Sequence, residues 1–273
     1  MRILLAGSTG VIGRRLEPIL IDQGHEVIGL ARNGPVPVDV LDRDAVAAAV
    51  RDARPDVVMH QLTSLSTGDL VANARLRRDG TRNLVDAALA AGVRRIVAQS
   101  IAWAYEPGAK PATEETPLDL GAAEPRQTSV AGVAALESAV QEAPEWVVLR
   151  YGTLYGPGTW YARDGLMAQF AAAGKIPADA DVSSLLHIDD AVAAAVAALE
   201  WPAGAVNVCD DEPAASSQWV PAFCAAAGVP APAPAVTVGE RHGWARGASN
   251  HYARKHLGWI PTYPSWREGF ATL

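Results

Sequence analysis

The chain of 273 residues has only two cysteines, Cys209 and Cys224. The two could pair with each other, but two reduced, buried thiols are the expected state. A surplus of positive charge is missing as well: 23 Lys and Arg against 30 Asp and Glu give a net charge of -7. Without a basic footprint there is nothing to hold a phosphate backbone, so nucleic acid is not an expected partner. Long apolar runs are also lacking. Stretches such as Ala191 to Leu199 fall short of the roughly 20 residues a membrane span needs. The first apolar run begins at Ile3 without a signal-peptide layout, so the expectation is a cytoplasmic protein with no membrane association. His251-Tyr-Ala-Arg-Lys-His256 offers two histidines without a third ligand at metal spacing, and no metal is expected. Hydrophobic residues at 49% and charged residues at 19% exclude disorder and leave a chain able to bury a real core.

What is there is an alternation of strand-length apolar runs and helix-patterned stretches. Strands are expected at Arg2 to Ala6, Glu26 to Ala31, Asp56 to His60, Arg95 to Gln99 and Trp146 to Arg150. Helices are expected at Val11 to Gln23, Asp42 to Arg51, Leu70 to Ala91 and Ser129 to Gln141. Such alternation implies parallel strands joined by crossovers, an α/β doubly wound parallel sheet of the Rossmann type. Residues 1–150 read as a dinucleotide-binding domain. Beyond Tyr151 glycine and proline cluster, at Tyr155-Gly-Pro-Gly158 and along a Pro/Ala stretch from Val229 to Ala235. Residues 151–273 read as a small C-terminal substrate lobe, with a helix at Asp189 to Leu199 and a strand at Ala205 to Val208 returning to the sheet. Trp244, Trp259 and Trp266 are expected to form its core, since bulky aromatics bury area economically in a short segment.

The first expected strand runs into Gly7-Ser-Thr-Gly10-Val-Ile-Gly13 and then a helix. Glycines make that turn tight and let backbone amides approach a pyrophosphate, which the helix N-terminus attracts. Strand, turn, helix and second strand follow in the order that supports a dinucleotide site, with Gly7, Thr9, Gly10, Val11, Ile12 and Gly13 as its cradle. At the end of the second strand, where an acidic residue would select NAD, stand Arg32 and Asn33. A guanidinium in place of a carboxylate favours a 2′-phosphate, and NADP(H) is the expected cofactor.

This spacing, with several later segments, resembles the extended and atypical short-chain dehydrogenase/reductase families, close to the NAD-dependent epimerase/dehydratase group. Val38-Asp39-Val40 is similar to that group's adenine-contacting segment, which implies contacts from Asp39 and Val40. Asp56-Val-Val-Met-His60-Gln-Leu-Thr63 is similar to its strand beside the cofactor ribose, implicating Gln61, Leu62 and Thr63. Gly80-Thr-Arg-Asn83-Leu84 resembles its G-T-x-N-L helix, with Arg77 standing where Asn is usual. Leu149 to Gly158, Leu186-His187-Ile-Asp189-Asp190, Asn207 to Pro213 and Leu257 to Pro261 match later signatures, and Tyr151, Gly152 and Thr153 are implied near the cofactor. The family's catalytic pattern, Tyr-x-x-x-Lys with a preceding serine, is missing. Ser129 falls where Tyr belongs and Val133 where Lys belongs. No register repairs this, because no lysine lies between Lys110 and Lys175 and no tyrosine between Tyr105 and Tyr151.

The binding apparatus is thus expected without the usual proton relay. Ser100 and Tyr105 are the catalytic candidates left, Ser100 also falling among the cofactor contacts. Ile101, Trp103, Ser129, Trp160 and Tyr161 are the candidate substrate residues, the aromatic ones suited to stacking on a flat ring. Loss of a general acid costs about 10²–10⁴-fold rather than all activity. The pattern resembles atypical reductases of antibiotic pathways that lack the triad. It implies an NADPH-dependent ketoreductase acting on a small-molecule, aromatic polyketide-type ketone, with the proton coming from substrate or water. A non-catalytic NADP-binding sensor, and a non-redox isomerase, cyclase or dehydratase of the same fold, are the alternatives. A homodimer through the two long helices stays open.

Overall fold

The computed structural model describes residues 1–65, 68–232 and 239–273, so part of the Val229 to Ala235 stretch lies outside the described residues. In chain order it forms β1 (Arg2–Ala6), α1 (Gly13–Asp22), β2 (Glu26–Ala31), β3 (Val36–Pro37), α2 (Arg43–Ala53) and β4 (Val57–His60). A helical stretch follows as α3 (Leu70–Arg75), a π-helical turn (Leu76–Gly80) and α4 (Thr81–Ala90). Then come β5 (Arg95–Ile101), α5 (Arg126–Val140), β6 (Glu145–Tyr151), β7 (Thr153–Tyr155), α6 (Leu166–Ala172), β8 (Val182–Ser183), β9 (Leu185–His187) and α7 (Ile188–Ala197). β10 (Gly204–Val208), β11 (Ala214–Ala215) and α8 (Ser216–Ala227) precede two short α-helices and a 3-10 turn.

Seven strands make the main sheet in the order β10-β6-β5-β4-β1-β2-β3. β1 pairs in parallel with β2 on one side and β4 on the other, and β4 with β5. The order reverses beside β1, which makes the sheet doubly wound and puts the ligand crevice outside the carboxyl ends of its strands. Ile3 to Ala6 of β1 are fully buried, the unbroken apolar run of a parallel strand covered on both faces. α2 shows how local chemistry sets an element: the Asp42 side chain accepts the Ala45 N–H at 3.1 Å, and Arg54 ends the helix in the left-handed region with φ 46°. Its buried Val46, Val50 and Ala53 recur on one face.

Leu70 to Ala91, expected as one regular helix, is interrupted by the π turn. The wider turn brings Arg77 and Gly80 into buried positions, and a Cβ on Gly80 would lie 2.7 Å from Val40 Cγ1. Periodicity alone does not register a turn of five residues, since the flanking pattern keeps its apolar face.

The chain folds as two compact units. The first comprises Met1–Ser100, Leu118–Leu149 and Ala195–Ala205, and the second Ile101–Pro117, Arg150–Ala194 and Val206–Leu273. The division expected at residue 150 is therefore interleaved, with Ile101–Pro117 belonging to the second unit. Backbone pairing is the reason: Ala112 N–H donates to Gly247 O at 2.9 Å, and Ser249 N–H to Ala112 O at 2.8 Å. The first unit's core gathers Leu4, Leu30, Val46, Val58, Leu84, Leu136 and Val148 around the sheet. The second has a core of Tyr155, Leu185, Trp219, Phe223, Trp266 and Phe270. Trp266 is in that core as expected, Trp259 is buried, and Trp244 is half-buried and stacks on His242.

Candidate active site

In the first unit the glycine turn is built by close approaches. Gly7 has φ +93°, and a Cβ there would lie 2.7 Å from Gln61 O, so the backbone conformation and the packing against the end of β4 both require glycine. A Cβ on Gly13 would lie 2.2 Å from Gly7 O, and its absence lets α1 start directly against the turn. Thr9 and Gly10 are exposed and Val11 half-exposed, while Ile12 and Gly13 are buried. No side chain caps α1 and no acidic residue sits in its first turn. The positive end of a ten-residue helix is thus left for an anion.

Gln61 supplies an independent sign of a missing partner. It is 4% exposed, and neither oxygen nor nitrogen of its amide has a hydrogen-bond partner among the described residues. A buried amide without partners costs free energy unless a ligand meets it, and a dinucleotide ribose offers the hydroxyls to do so. The turn and Gln61 together fit a pyrophosphate dinucleotide. Leu62 N–H is turned inward to His60 Nδ1 at 3.2 Å, and Thr63 is exposed. Arg32 and Asn33 are exposed beyond the end of β2, and the Arg32 side chain makes no ion pair with a described residue. Asp39 is exposed and accepts the Leu41 N–H at 3.0 Å, whereas Val40 packs into the core.

Beyond the turn lies a buried polar cluster. The Ser100 hydroxyl, at the carboxyl end of β5, donates to Glu137 Oε1 of α5 at 2.7 Å, and both residues are buried. Arg77, buried in the π turn, interacts electrostatically with Glu137, and burial lowers its pKa to about 10, so it stays charged at neutral pH. His60 Nε2 lies 2.8 Å from Thr81 Oγ1. Because its Nδ1 accepts from Leu62, the ring is the neutral tautomer that donates through Nε2. Burial, and then the charge of Arg77, press its pKa down to about 4. Ser129 and Val133 are buried on α5, and Glu137 follows Val133 by one helical turn. Glu137 was not among the expected site residues. Its signal in the sequence is a lone acidic residue, four positions after Val133, on a buried face otherwise without charge, matched by Arg77 in place of Asn.

In the second unit Tyr105 is 1% exposed. Its hydroxyl donates to Asn207 Oδ1 and accepts from Arg150 Nη1 at 3.0 Å, while the Arg150 guanidinium lies 5.0 Å from the ring centroid. Asn207 Nδ2 donates in turn to Ala112 O and Ser249 O. This geometry ties Ile101–Pro117 to the lobe's own strands, and the phenol proton is spent within it. Gly152 N–H donates to Val208 O at 2.9 Å and Thr153 N–H to Ser184 O at 2.8 Å; Tyr151 is buried. Gly152 and Thr153 line a cavity of about 240 Å³, together with Trp103, Tyr161, Trp219 and Trp244. Of the expected substrate residues, Trp103 and Tyr161 are in that wall. Ile101 and Trp160 are half-buried outside it, and Ser129 belongs to the other unit.

The sequence pattern described as "NAD dependent epimerase/dehydratase family" matches residues 3–209. A protein of Streptomyces sp., "3-diazoavenalumate denitrifying reductase", is 48% identical over 300 aligned residues, covering 98% of this chain and 99% of that one. "Ceramide reductase" of Caulobacter vibrioides is 29% identical, covering 76% of this chain and 64% of that one. Among solved structures, the UDP-glucose 4-epimerase of Thermus thermophilus in complex with NAD superposes with a TM-score of 0.78 at 26% identity, covering 100% of this chain and 97% of that one. The seven-stranded sheet, the glycine turn after β1 and these matches agree: the chain belongs to the NAD dependent epimerase/dehydratase family.

Proposed function

We propose that this chain is an NADPH-dependent reductase of a small hydroxyaryl compound, and that its acceptor is a diazo group which leaves as dinitrogen. The turn from Gly7 to Gly13 and Gln61 would hold the dinucleotide, and Arg32 would meet a 2′-phosphate. When bound, the reduced cofactor supplies a hydride.

The hydrogen bond from Ser100 to Glu137 is what separates the acceptor classes. A ketone taking up hydride becomes an alkoxide, which needs a hydrogen-bond donor at once. Ser100 has one proton, and the Glu137 carboxylate holds it at 2.7 Å. Tyr105 donates its hydrogen bond to Asn207 Oδ1, and Val133 stands where a lysine would be. Toward a ligand Ser100 therefore offers lone pairs, the wrong polarity for an alkoxide. An arenediazonium group makes no such demand. Hydride adds to its terminal nitrogen and cancels the positive charge. The neutral aryl diazene then breaks its carbon–nitrogen bond, releasing N₂ and leaving hydrogen on the ring carbon. The similarity to the Streptomyces reductase over nearly all of both chains supports this class.

Reduction of an aromatic polyketide ketone, as in the simocyclinone-pathway angucyclinone ketoreductase that the triad-less pattern resembles, is the competing chemistry. The aromatic cavity wall favours it equally, and it requires the substrate's own hydroxyl to protonate the oxygen. Incubation with NADPH and either an ortho-diazophenol or a hydroxyaryl ketone decides between them. Nicotinamide oxidation matched one to one by N₂ release is expected with the first. Oxidation with the ketone alone would overturn the diazo assignment, and oxidation with neither would remove the reductase.

A further inference from the structure

The cavity of the second unit has an electrostatic character that the aromatic residues alone do not explain. Trp103, Trp219, Trp244 and Tyr161 line it, and so do the carboxylates Asp179 and Asp181. Among the described residues no lysine or arginine lines it. Asp181 is engaged: it accepts the His242 N–H at 2.8 Å and lies 2.9 Å from His242 Nδ1. The Asp179 side chain accepts the Asp181 N–H at 3.1 Å and has no ion pair with a described residue, while its backbone carbonyl accepts the Ser217 N–H at 2.8 Å. Trp219, 4% exposed, has an indole N–H without a partner among the described residues. Burial raises the Tyr161 phenol to about 12, so that hydroxyl stays neutral and keeps its proton.

Size and charge both restrict the occupant. A cavity near 150 Å³ takes benzene, and about 240 Å³ takes a substituted phenyl ring but not a nucleoside diphosphate sugar. An anionic group brought beside an uncompensated carboxylate in a partly dry site meets like-charge repulsion. We propose that this cavity is a subsite for a flat hydroxyaryl compound that is neutral or cationic, and that Asp179 is the specificity-determining residue that rejects anionic ones. This deepens the reductase reading and rests on it for the chemistry at the ring.

Calorimetric binding to the full chain without dinucleotide tests it, using tyramine, 3-(4-hydroxyphenyl)propionamide and 3-(4-hydroxyphenyl)propionate as probes. The amine and amide are expected to bind at least roughly tenfold more tightly than the acid. Asp179→Asn, which keeps an oxygen for the Asp181 N–H, is expected to bring the acid within about threefold of the amide, and Asp179→Glu to restore the gap. Equal binding of acid and amide by the unaltered chain, a gap unchanged in Asp179→Asn, or no binding of any probe would each overturn the proposal. Because no turnover is read, selective binding survives a failure of the reductase assignment, and diazo reduction without selectivity sinks this inference alone.

Discussion

Ser100 and Glu137 are joined by a 2.7 Å hydrogen bond in the interior of the first unit, where the buried Arg77 guanidinium feels the charge of Glu137. Neutralising Glu137 removes the charge that offsets the buried guanidinium and weakens the bond to Ser100, which together cost up to about 3–5 kcal/mol. Glu137→Gln is therefore expected to lose about that much in urea unfolding. Glu137→Leu combined with Arg77→Met, which removes both charges, is expected to recover most of it. A double variant as unstable as the single one would show that the pair is not the source.

Arg32 is exposed past the end of β2 and pairs with nothing described, so its removal should leave the fold intact. Losing a charge-assisted contact to a 2′-phosphate costs about 1.5–3 kcal/mol. Arg32→Ala is expected to weaken NADPH binding by roughly 10–100-fold and to leave NADH within about twofold, measured by fluorescence of the reduced nicotinamide. A loss equal for both nucleotides would end the argument for NADP(H).

Tyr105 is the phenol the sequence offers as an acid, yet its hydroxyl is held between Asn207 and Arg150. Tyr105→Phe leaves those two partners without it, at a cost of about 1–3 kcal/mol, while kcat is expected to change less than about threefold. A fall of about 10²-fold or more in a folded variant would return the general acid to this residue.

His60 gives the stability a defined pH dependence. Its pKa is about 4 in the folded chain against 6.5 when unfolded, because burial and Arg77 disfavour the cation. The unfolded state then binds more protons between these values. The contribution is complete above pH 6.5 and is lost as pH falls toward 4, with a slope approaching about 1.4 kcal/mol per pH unit. Both ring nitrogens already have partners suited to the neutral form, Thr81 and the Leu62 N–H. His60→Gln should flatten that part of the curve in chemical denaturation between about pH 4 and 7; an unchanged slope would assign it to other groups.

Features written in contiguous residues were legible before the fold was known. The strand and helix alternation, the turn from Gly7 to Gly13 and Arg32 at the end of β2 each depend on backbone conformation and burial within a few residues. The loss of the Tyr-x-x-x-Lys pair could likewise be read at Ser129 and Val133, because both fall on one helix. The π turn at Leu76–Gly80 was not legible, since one widened turn leaves the apolar face of the flanking helices unchanged.

By itself, then, the sequence determined a doubly wound sheet with a dinucleotide turn and no usual proton relay. Tertiary structure alone decided where the surviving hydroxyl protons go. Ser100 meets Glu137 across 37 residues and Tyr105 meets Asn207 across 102. Hydrogen bonds of that range are set by which strand ends and helix faces pack together. Only packing, moreover, gathers Asp179 and four aromatic side chains around one cavity and keeps every arginine and lysine among the described residues out of its wall.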